Sequence, residues 1–552
     1  MVACRTPAFI PAMIVVFGLI PLIAAAFTYH VDAQNGKDTN PGSREEPFRT
    51  ILRASLVARP GDTVLIREGI YHEQIIGGAS GEEGAPITYE GVDRDRVILQ
   101  GTVRVTGWKK FGLSWTTDGP RPSTQSNAFV MVDERRMLSA VASPVDVPPG
   151  SFSQAQNGKL AVRLWNDENP AEHLVEVYEL DVAFNSGDRW GGTAKKWIVL
   201  RNLTIEKYGG HGISTDASRP ADNAHWELDR ITMRLNSNEG VFHCLDDWHV
   251  HGCLFTRNRG HGCQIDGARV RFLNNVCTEN EWFGPYEDGG CGLLIGPDAS
   301  AHSCVISNNS FTNNGNRDGY GCGIYLEGRS HSNIIDANFI SGNTHAGIGL
   351  YGSSRNIISN NVLVDVAPGS DNGDEAAFVV SYSREGAPTV STGNLIAHNT
   401  VWGCPTPMVA NLPATHRAAD APNRFVNNLF ALCRFLAEVP RSAVVMENNG
   451  WFACPAADAA ATDLKTRVKR MVQDRGRPSV ADVDPRAVIG DNSKLVAPER
   501  GDFRPLPGSP VVDAGIPLKE VTSDRDGKPR PLGSAPDLGA YEVGAGGSGE
   551  ER

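Results

Sequence analysis

The sequence predicts an all-β solenoid, a right-handed parallel β-helix, and three observations predict it. Glycine-anchored segments recur as "GISTD" at Gly212, "GVFHC" at Gly240, "GCQID" at Gly262, "GLLIG" at Gly292, "GIYLE" at Gly323 and "GIGLY" at Gly347, spaced by 22 to 31 residues as in solenoids. A second signature, in "FLNNV", "VISNNS", "IIDANF", "IISNNV", "IAHNTV" and "FVNNLF", places Asn275, Asn309, Asn338, Asn361, Asn399 and Asn428 at one equivalent turn. The runs between are short, β-branched and alternate with period two, with Gly or Asn at the corners, which is too short and too weakly helical for leucine-rich or helical repeats. A single strand of this kind cannot bury its apolar face, but stacked coils can, and each corner Asn then bonds to its copies above and below.

The elements follow in order. Residues 1–26 carry Arg5, the apolar run "AFIPAMIVVFGLIPLIAAAF" and a small-residue exit, and read as a signal peptide cleaved near Ala26. Pro11 and Pro21 weigh against the alternative of an uncleaved anchor, for which about 20 apolar residues would just suffice. Residues 27–102 hold the N-terminal cap and first coils. Residues 103–192 break the repeat, and "VPPGSFSQAQNGKLAVRLWNDENPAEHLVEVY" reads as hairpins of an inserted β module. The repeat resumes at "KKWIVLRNLTIEKYGGHG" and the central coils fill 193–435. Across 436–543 the coils decay, "ATDLKTRVKRMVQDRG" reads as a helical excursion, and a closing segment follows; 544–552 is a tail expected to be disordered.

On these residues the chain resembles the pectin-lyase-like superfamily of extracellular β-helix proteins, a group of polysaccharide lyases, glycoside hydrolases and epimerases. The opening "YHVDAQNGKDTNPGSREEPFRTILRASLVARPGDTVLIREGIYHE" is similar to their first segment, and the resemblance implies a capping helix at about Arg49 to Val57. The ending "DFRPLPGSPVVDAGIPL" through "DRDGKPRPLGSAPDLGAYE" resembles their closing segment. The likeness implies action on a polysaccharide. Within the group, the mannuronan epimerases carry a histidine just before a coil glycine, which matches His261. Their Asp-Pro-His segment falls on Ser214, Thr215 and Asp216, and their next catalytic Asp falls on Cys244, so only His261 carries over.

Composition sets limits. The chain has 552 residues, 21% charged, with a formal net charge of -12, which excludes non-specific nucleic-acid binding because phosphate neutralisation needs clustered Lys and Arg. After signal cleavage no segment is apolar enough for stable membrane insertion, a secreted, periplasmic or extracellular location is expected, and a monomer suffices. Removing Cys4 leaves ten of eleven cysteines, an even number that fits disulfides outside the cell or stacked free thiols inside the repeat.

Alternation places the residue after each glycine inward and the next outward. The outward grid then holds Ser214 and Asp216, Phe242 and Cys244, Gln264 and Asp266, Leu294, Tyr325 and Glu327, and Tyr351, while His211, Glu239 and His261 precede the glycines on successive coils. At roughly 4.8 Å per coil, the two Gly-His-Gly turns lie about 10 Å apart, one or two sugar units. The insertions "EWFGPYEDGG" and "GNRDGYG" thicken one corner and "ASRPADNA" the other, so a groove is expected. In it Trp282, Phe283 and Tyr286 stack on sugar rings, and Arg259, Arg317 and Arg329 meet carboxylates or sulfates.

No lysine occurs between Lys207 and Lys465, so a lysine base is excluded from the central coils. A lyase would use His261 or His211 as base, with Tyr325 or Arg as partner and Ca2+ or Arg damping the substrate carboxylate. A hydrolase would use two carboxylates among Asp216, Glu239, Asp266 and Glu327, or the pair Asp246 and Asp247. The bland readings are a stacked turn for either histidine and turn capping for Asp216 and Asp266. His243, His249, His251, Cys244 and Cys253 lack zinc-motif spacing, and the acidic loop "DVAPGSDNGDE" lacks EF-hand order. The expected function is a secreted enzyme that cleaves an acidic polysaccharide by β-elimination, with a hydrolase or a non-catalytic glycan-binding helix as alternatives.

Overall fold

The structure, a computed structural model, describes residues 26–120, 129–136, 138–139, 143, 145–154, 159–187, 193–281, 289–315, 321–328, 330–366, 376–383, 389–412, 421–433, 444–452 and 484–544. The expected helical excursion, the signal peptide and the tail lie outside them. Three parallel sheets run the length of a β-helix. Sheet I has 13 strands from Thr28–Val31 to Val444–Glu447, sheet II has 13 from Gly69–Tyr71 to Val488–Gly490, and sheet III has nine from Val182–Ser186 to Met408–Ala410.

Between Val182 and Ala410 each coil contributes one strand to each sheet, and apart from one slip the coils pair in register, as Ile213↔Val241, Cys263↔Leu293, Leu293↔Ile324 and Ile324↔Ile348 show. The inward residues of all three sheets form one continuous apolar core from Val31 to Trp451. The recurring glycine has a steric cause. A Cβ at Gly212, Gly240, Gly262 or Gly292 would lie 2.5 to 2.8 Å from the carbonyl oxygen of the glycine one coil on, so no side chain fits that column.

The expected Asn ladder is present. Asn275, Asn309, Asn338, Asn361, Asn399 and Asn428 each donate Nδ2–H to the Oδ1 of the next, at 2.9 to 3.1 Å, and the column continues through Asn449 to the Asp484 carboxylate. The "NN" doublets divide the work at this corner: Asn274, Asn308, Asn360, Asn427 and Asn448 adopt positive φ and turn the chain, while the second Asn points inward and bonds. Two further ladders, Asn236 through Asn343 and Asn333 through Asn423, hold the other corners.

The N-terminal end is closed by the short helix Ile51–Ser55, whose N-cap Thr50 accepts from the Arg53 N–H and whose first two amides, Ile51 and Leu52, are held by the Glu73 carboxylate. Between Thr102–Arg104 and Val175–Tyr178 the chain leaves the helix to form two small, mostly antiparallel sheets around a separate apolar core that includes Phe129, Val162 and Val177. The Tyr178 hydroxyl, donating to the Leu235 carbonyl at 2.8 Å, and the buried Lys207–Glu176 pair, also at 2.8 Å, anchor this module to the coils. All nine cysteines among the described residues are free, and eight of them are buried, so the stacked-thiol reading applies there. No helix among the described residues is long and apolar enough to cross a membrane.

Candidate active site on sheet III

The outward face of sheet III collects the titratable residues. The three groups preceding the glycines form a buried column, with His211 Nδ1 lying 2.7 Å from Glu239 Oε2 and both side chains at most 2% exposed. Burial alone would raise the Glu239 carboxyl; the charge and contact of His211 outweigh it and hold the group down at about 2. The next member, His261, is 1% exposed, and its Nδ1 accepts the backbone N–H of Cys291 at 3.1 Å. That bond leaves the neutral ring with its proton on Nε2. With Nδ1 engaged by that backbone amide, the geometry does not favour the expected role of His261 as the base. Above it the Cys291 thiol is held low, first by Cys322 and then by His261.

The alternation predicted Cys244 on the outward face, and the structure overturns this. The register of Val241–Cys244 against Cys263–Ile265 slips at a β-bulge, so Cys244 turns into the core, where its sulfur lies 3.3 Å from that of Cys263. The extra residue is His243, at φ 66. The bulge aims His243 Nδ1 at Asp266 Oδ2, 2.7 Å away. An ionised carboxylate only accepts, so the ring donates Nδ1–H there and presents Nε2 as its acceptor, with no hydrogen-bond partner among the described residues. Asp266 is itself fixed: its Oδ1 accepts the N–H groups of Asp298 and Ala299, and Gln264 Nε2 donates to Asp266 Oδ2 at 2.8 Å and Asp298 Oδ2 at 2.9 Å. Asp298, at 53%, is the exposed member.

The remaining expected residues divide. Asp216 sits two coils from Asp266 but accepts from the N–H and hydroxyl of Ser218, which is turn capping. Asp246 and Asp247 are clamped by Arg269 and are not a catalytic pair. Glu327 accepts the Ser383 hydroxyl at 3.0 Å. Tyr325 stacks on Tyr351 with ring centroids 4.4 Å apart, and the Tyr351 hydroxyl meets His345 Nε2 at 2.9 Å, making a half-buried aromatic platform two and three coils beyond Asp266. Burial, then Glu327, push the Tyr325 hydroxyl up. Arg259 is half-buried close to Arg136, whose guanidinium is pushed down to about 10 by burial first and then by the Arg259 charge. Trp282, Phe283, Tyr286, Arg317 and Arg329, and the loop 367–375, lie outside the described residues.

The His/Cys cluster weighed for zinc is dispersed. His249 and His251 are on sheet I, Cys253 is in the core, and His251 stands between Glu227 and Asp229. A His243, Asp266 and Asp298 trio has ligand atoms within 4.8 Å of one another. It does not suit Ca2+, which takes six to eight oxygens, because it offers two carboxylates and a nitrogen, and the Gln264 amide already bridges both carboxylates.

Comparison with known proteins agrees with the fold. The family model for the right handed beta helix region matches residues 239–430, and one for a protein of unknown function (DUF1565) matches residues 34–124. The structure of XylC in complex with xylose is similar with a TM-score of 0.62 at 13% identity, over 94% of this chain and 99% of that one. Pectate lyase Pel9A gives 0.45 at 14% identity, over 94% and 97%. The uncharacterized protein YwoF of Bacillus subtilis (strain 168) is 46% identical over 67 residues, 12% of this chain, so the match spans only 14% of that relative. The chain folds as a right-handed parallel β-helix.

Proposed function

We propose that the protein is a secreted, carbohydrate-active enzyme that cleaves an acidic polysaccharide by β-elimination on the face of sheet III. The observation that carries this is the His243–Asp266 pair on the bulge. A ring whose Nδ1–H is fixed by a carboxylate and whose Nε2 has no partner is built to accept a proton. In the reaction His243 Nε2 takes the proton α to the uronate carboxylate, the electron pair forms the new C=C bond, and the glycosidic C–O bond breaks. The imidazolium, stabilised by Asp266, then returns its proton to the leaving oxygen. The likeness in fold to XylC bound to xylose supports a sugar ligand.

Hydrolysis is the second reading, favoured by the acidity of the described face, which carries Asp266, the half-exposed Asp298 and Glu327. A panel of acidic and neutral polysaccharides, read both for absorbance of unsaturated uronates and for reducing ends, separates the two. Unsaturated products that vanish in His243→Ala support elimination. Reducing ends without that absorbance establish hydrolysis, and neither signal on any substrate overturns the enzyme reading.

A further inference from the structure

Sheet III begins at Val182–Ser186, and three polar groups at that end are unexplained by the mechanism. Asn185 is 1% exposed, yet neither its Nδ2 nor its Oδ1 has a hydrogen-bond partner among the described residues. A buried amide left unsatisfied costs about 1 to 3 kcal/mol per group, so both ends of this side chain need a partner that the described residues do not supply. Lys195 is also buried, at 4% exposure, and its Nζ donates to the carbonyls of Asn185 at 2.9 Å and Thr193 at 3.1 Å. Two of its three N–H donors are thus used, both on neutral acceptors, and no carboxylate pairs with it among the described residues. Burial lowers the ammonium to about 8, so at neutral pH it is a charge awaiting an anion. The third group is His211, whose Nδ1 faces Glu239 and whose Nε2 has no partner. Its ring stacks on Phe242 at 4.5 Å, and Phe242 lies in register with Ser214, the strand neighbour of Asn185.

The Asn185 side chain and the Lys195 ammonium, which bonds to the Asn185 carbonyl, lie together at one end of the face, with His211 on the next coil in register with Val182. We infer that they form a closed subsite for the carboxylate of a uronic acid residue, two coils from His243. The ammonium supplies the counter-charge, Asn185 Nδ2 donates to a carboxylate oxygen, and Asn185 Oδ1 accepts from a ring hydroxyl. Glu239 does not compete, because His211 Nδ1 faces it. Two coils, roughly 10 Å, separate the subsite from His243, which places the bound uronate one or two sugars from the bond that breaks. The inference rests on the acidic-polysaccharide reading and deepens it.

The test is direct binding, independent of turnover. The full-length protein is titrated calorimetrically with galacturonate, glucuronate, their methyl esters and free sulfate, alongside Lys195→Met and Asn185→Leu, two variants of similar size that spare the packing. The expected result is that at least one uronate binds, its ester binds at least about tenfold more weakly, and Lys195→Met loses a comparable factor. Equal binding of acid and ester, sulfate displacing the uronate with higher affinity, or unchanged binding in Lys195→Met would overturn the subsite. If no monosaccharide binds while the polymer is cleaved, the subsite fails and the proposed function stands. If Lys195-dependent uronate binding occurs without cleavage of any polymer, the subsite stands and the lyase reading fails.

Discussion

Replacing Glu239 by Gln keeps the shape of the side chain and removes its charge, which isolates the contribution of the buried His211–Glu239 pair. Holding the carboxyl at about 2 instead of 4.5 corresponds to about 3 kcal/mol of folding stability, at about 1.4 kcal/mol per tenfold change in proton affinity. The sign is set by a folded-state value below the unfolded one. The stabilisation is fully present above about 4.5 and is lost as the pH falls towards 2, while the Gln variant lacks it throughout. Urea unfolding of both proteins, followed by tryptophan fluorescence at a series of pH values between 7 and 2, should show a gap of about 3 kcal/mol at neutral pH that closes at the acid end. Other carboxylates titrate in both proteins and cancel in the difference. A gap that is absent at pH 7, or that persists unchanged at pH 2, refutes the ion-pair argument.

The other predictions concern the dyad, the ladder, the buried lysine and the thiols. His243→Ala and Asp266→Asn should each lower kcat on the order of 100-fold or more with KM little changed, and His261→Ala should cost far less; steady-state kinetics on the substrate from the panel decides. Asn361→Ala leaves ladder partners at Asn338 and Asn399 and the Ile335 carbonyl unsatisfied, so a loss of about 3 kcal/mol or more is expected, read as a lowered thermal midpoint. Lys195→Met should be more stable than the parent at pH 7. The difference should shrink as the pH rises from about 8 to 10.5, because in that range the folded lysine is neutral while the unfolded one still binds its proton, which raises parent stability. Among the nine described cysteines, half-buried Cys433 should be alkylated by iodoacetamide before the eight buried ones, as peptide mass mapping would show.

The fold was legible because a solenoid writes its geometry repeatedly. The stacked glycine column and the "NN" corners are set by close carbonyl approach and by left-handed backbone, and each leaves the same residue at every coil. The site was legible only in part. His211, Glu239 and His261 stood out because they share a register, and the structure does stack His211 on Glu239. But His261 spends its free nitrogen on the Cys291 amide, a backbone bond with no sequence signature. His243 was missed because period-two alternation assumes an unbroken strand, and a bulge shifts every later side chain to the other face. "GVFHC" has the same length as its neighbours, so the extra residue shows only in the register of the folded strand. Lys195 lies just before the lysine-free stretch and in the link that leads out of the first strand of sheet III, so only the fold brings it back to Asn185.

The Asn ladder of sheet I's corner has a direction. Each Asn gives hydrogens to the coil that follows and receives from the coil before, so the column grows like a polymer with a reactive end. At Asp484 that end is quenched: the carboxylate takes the hydrogens of Asn448 and Asn449 and has none of its own to pass on. A coil duplicated anywhere before Asn449 would thus inherit both its giver and its receiver, whereas growth past residue 484 would first have to exchange a carboxylate for an amide. At this corner the ladder closes on an oxygen where each earlier rung carries a nitrogen.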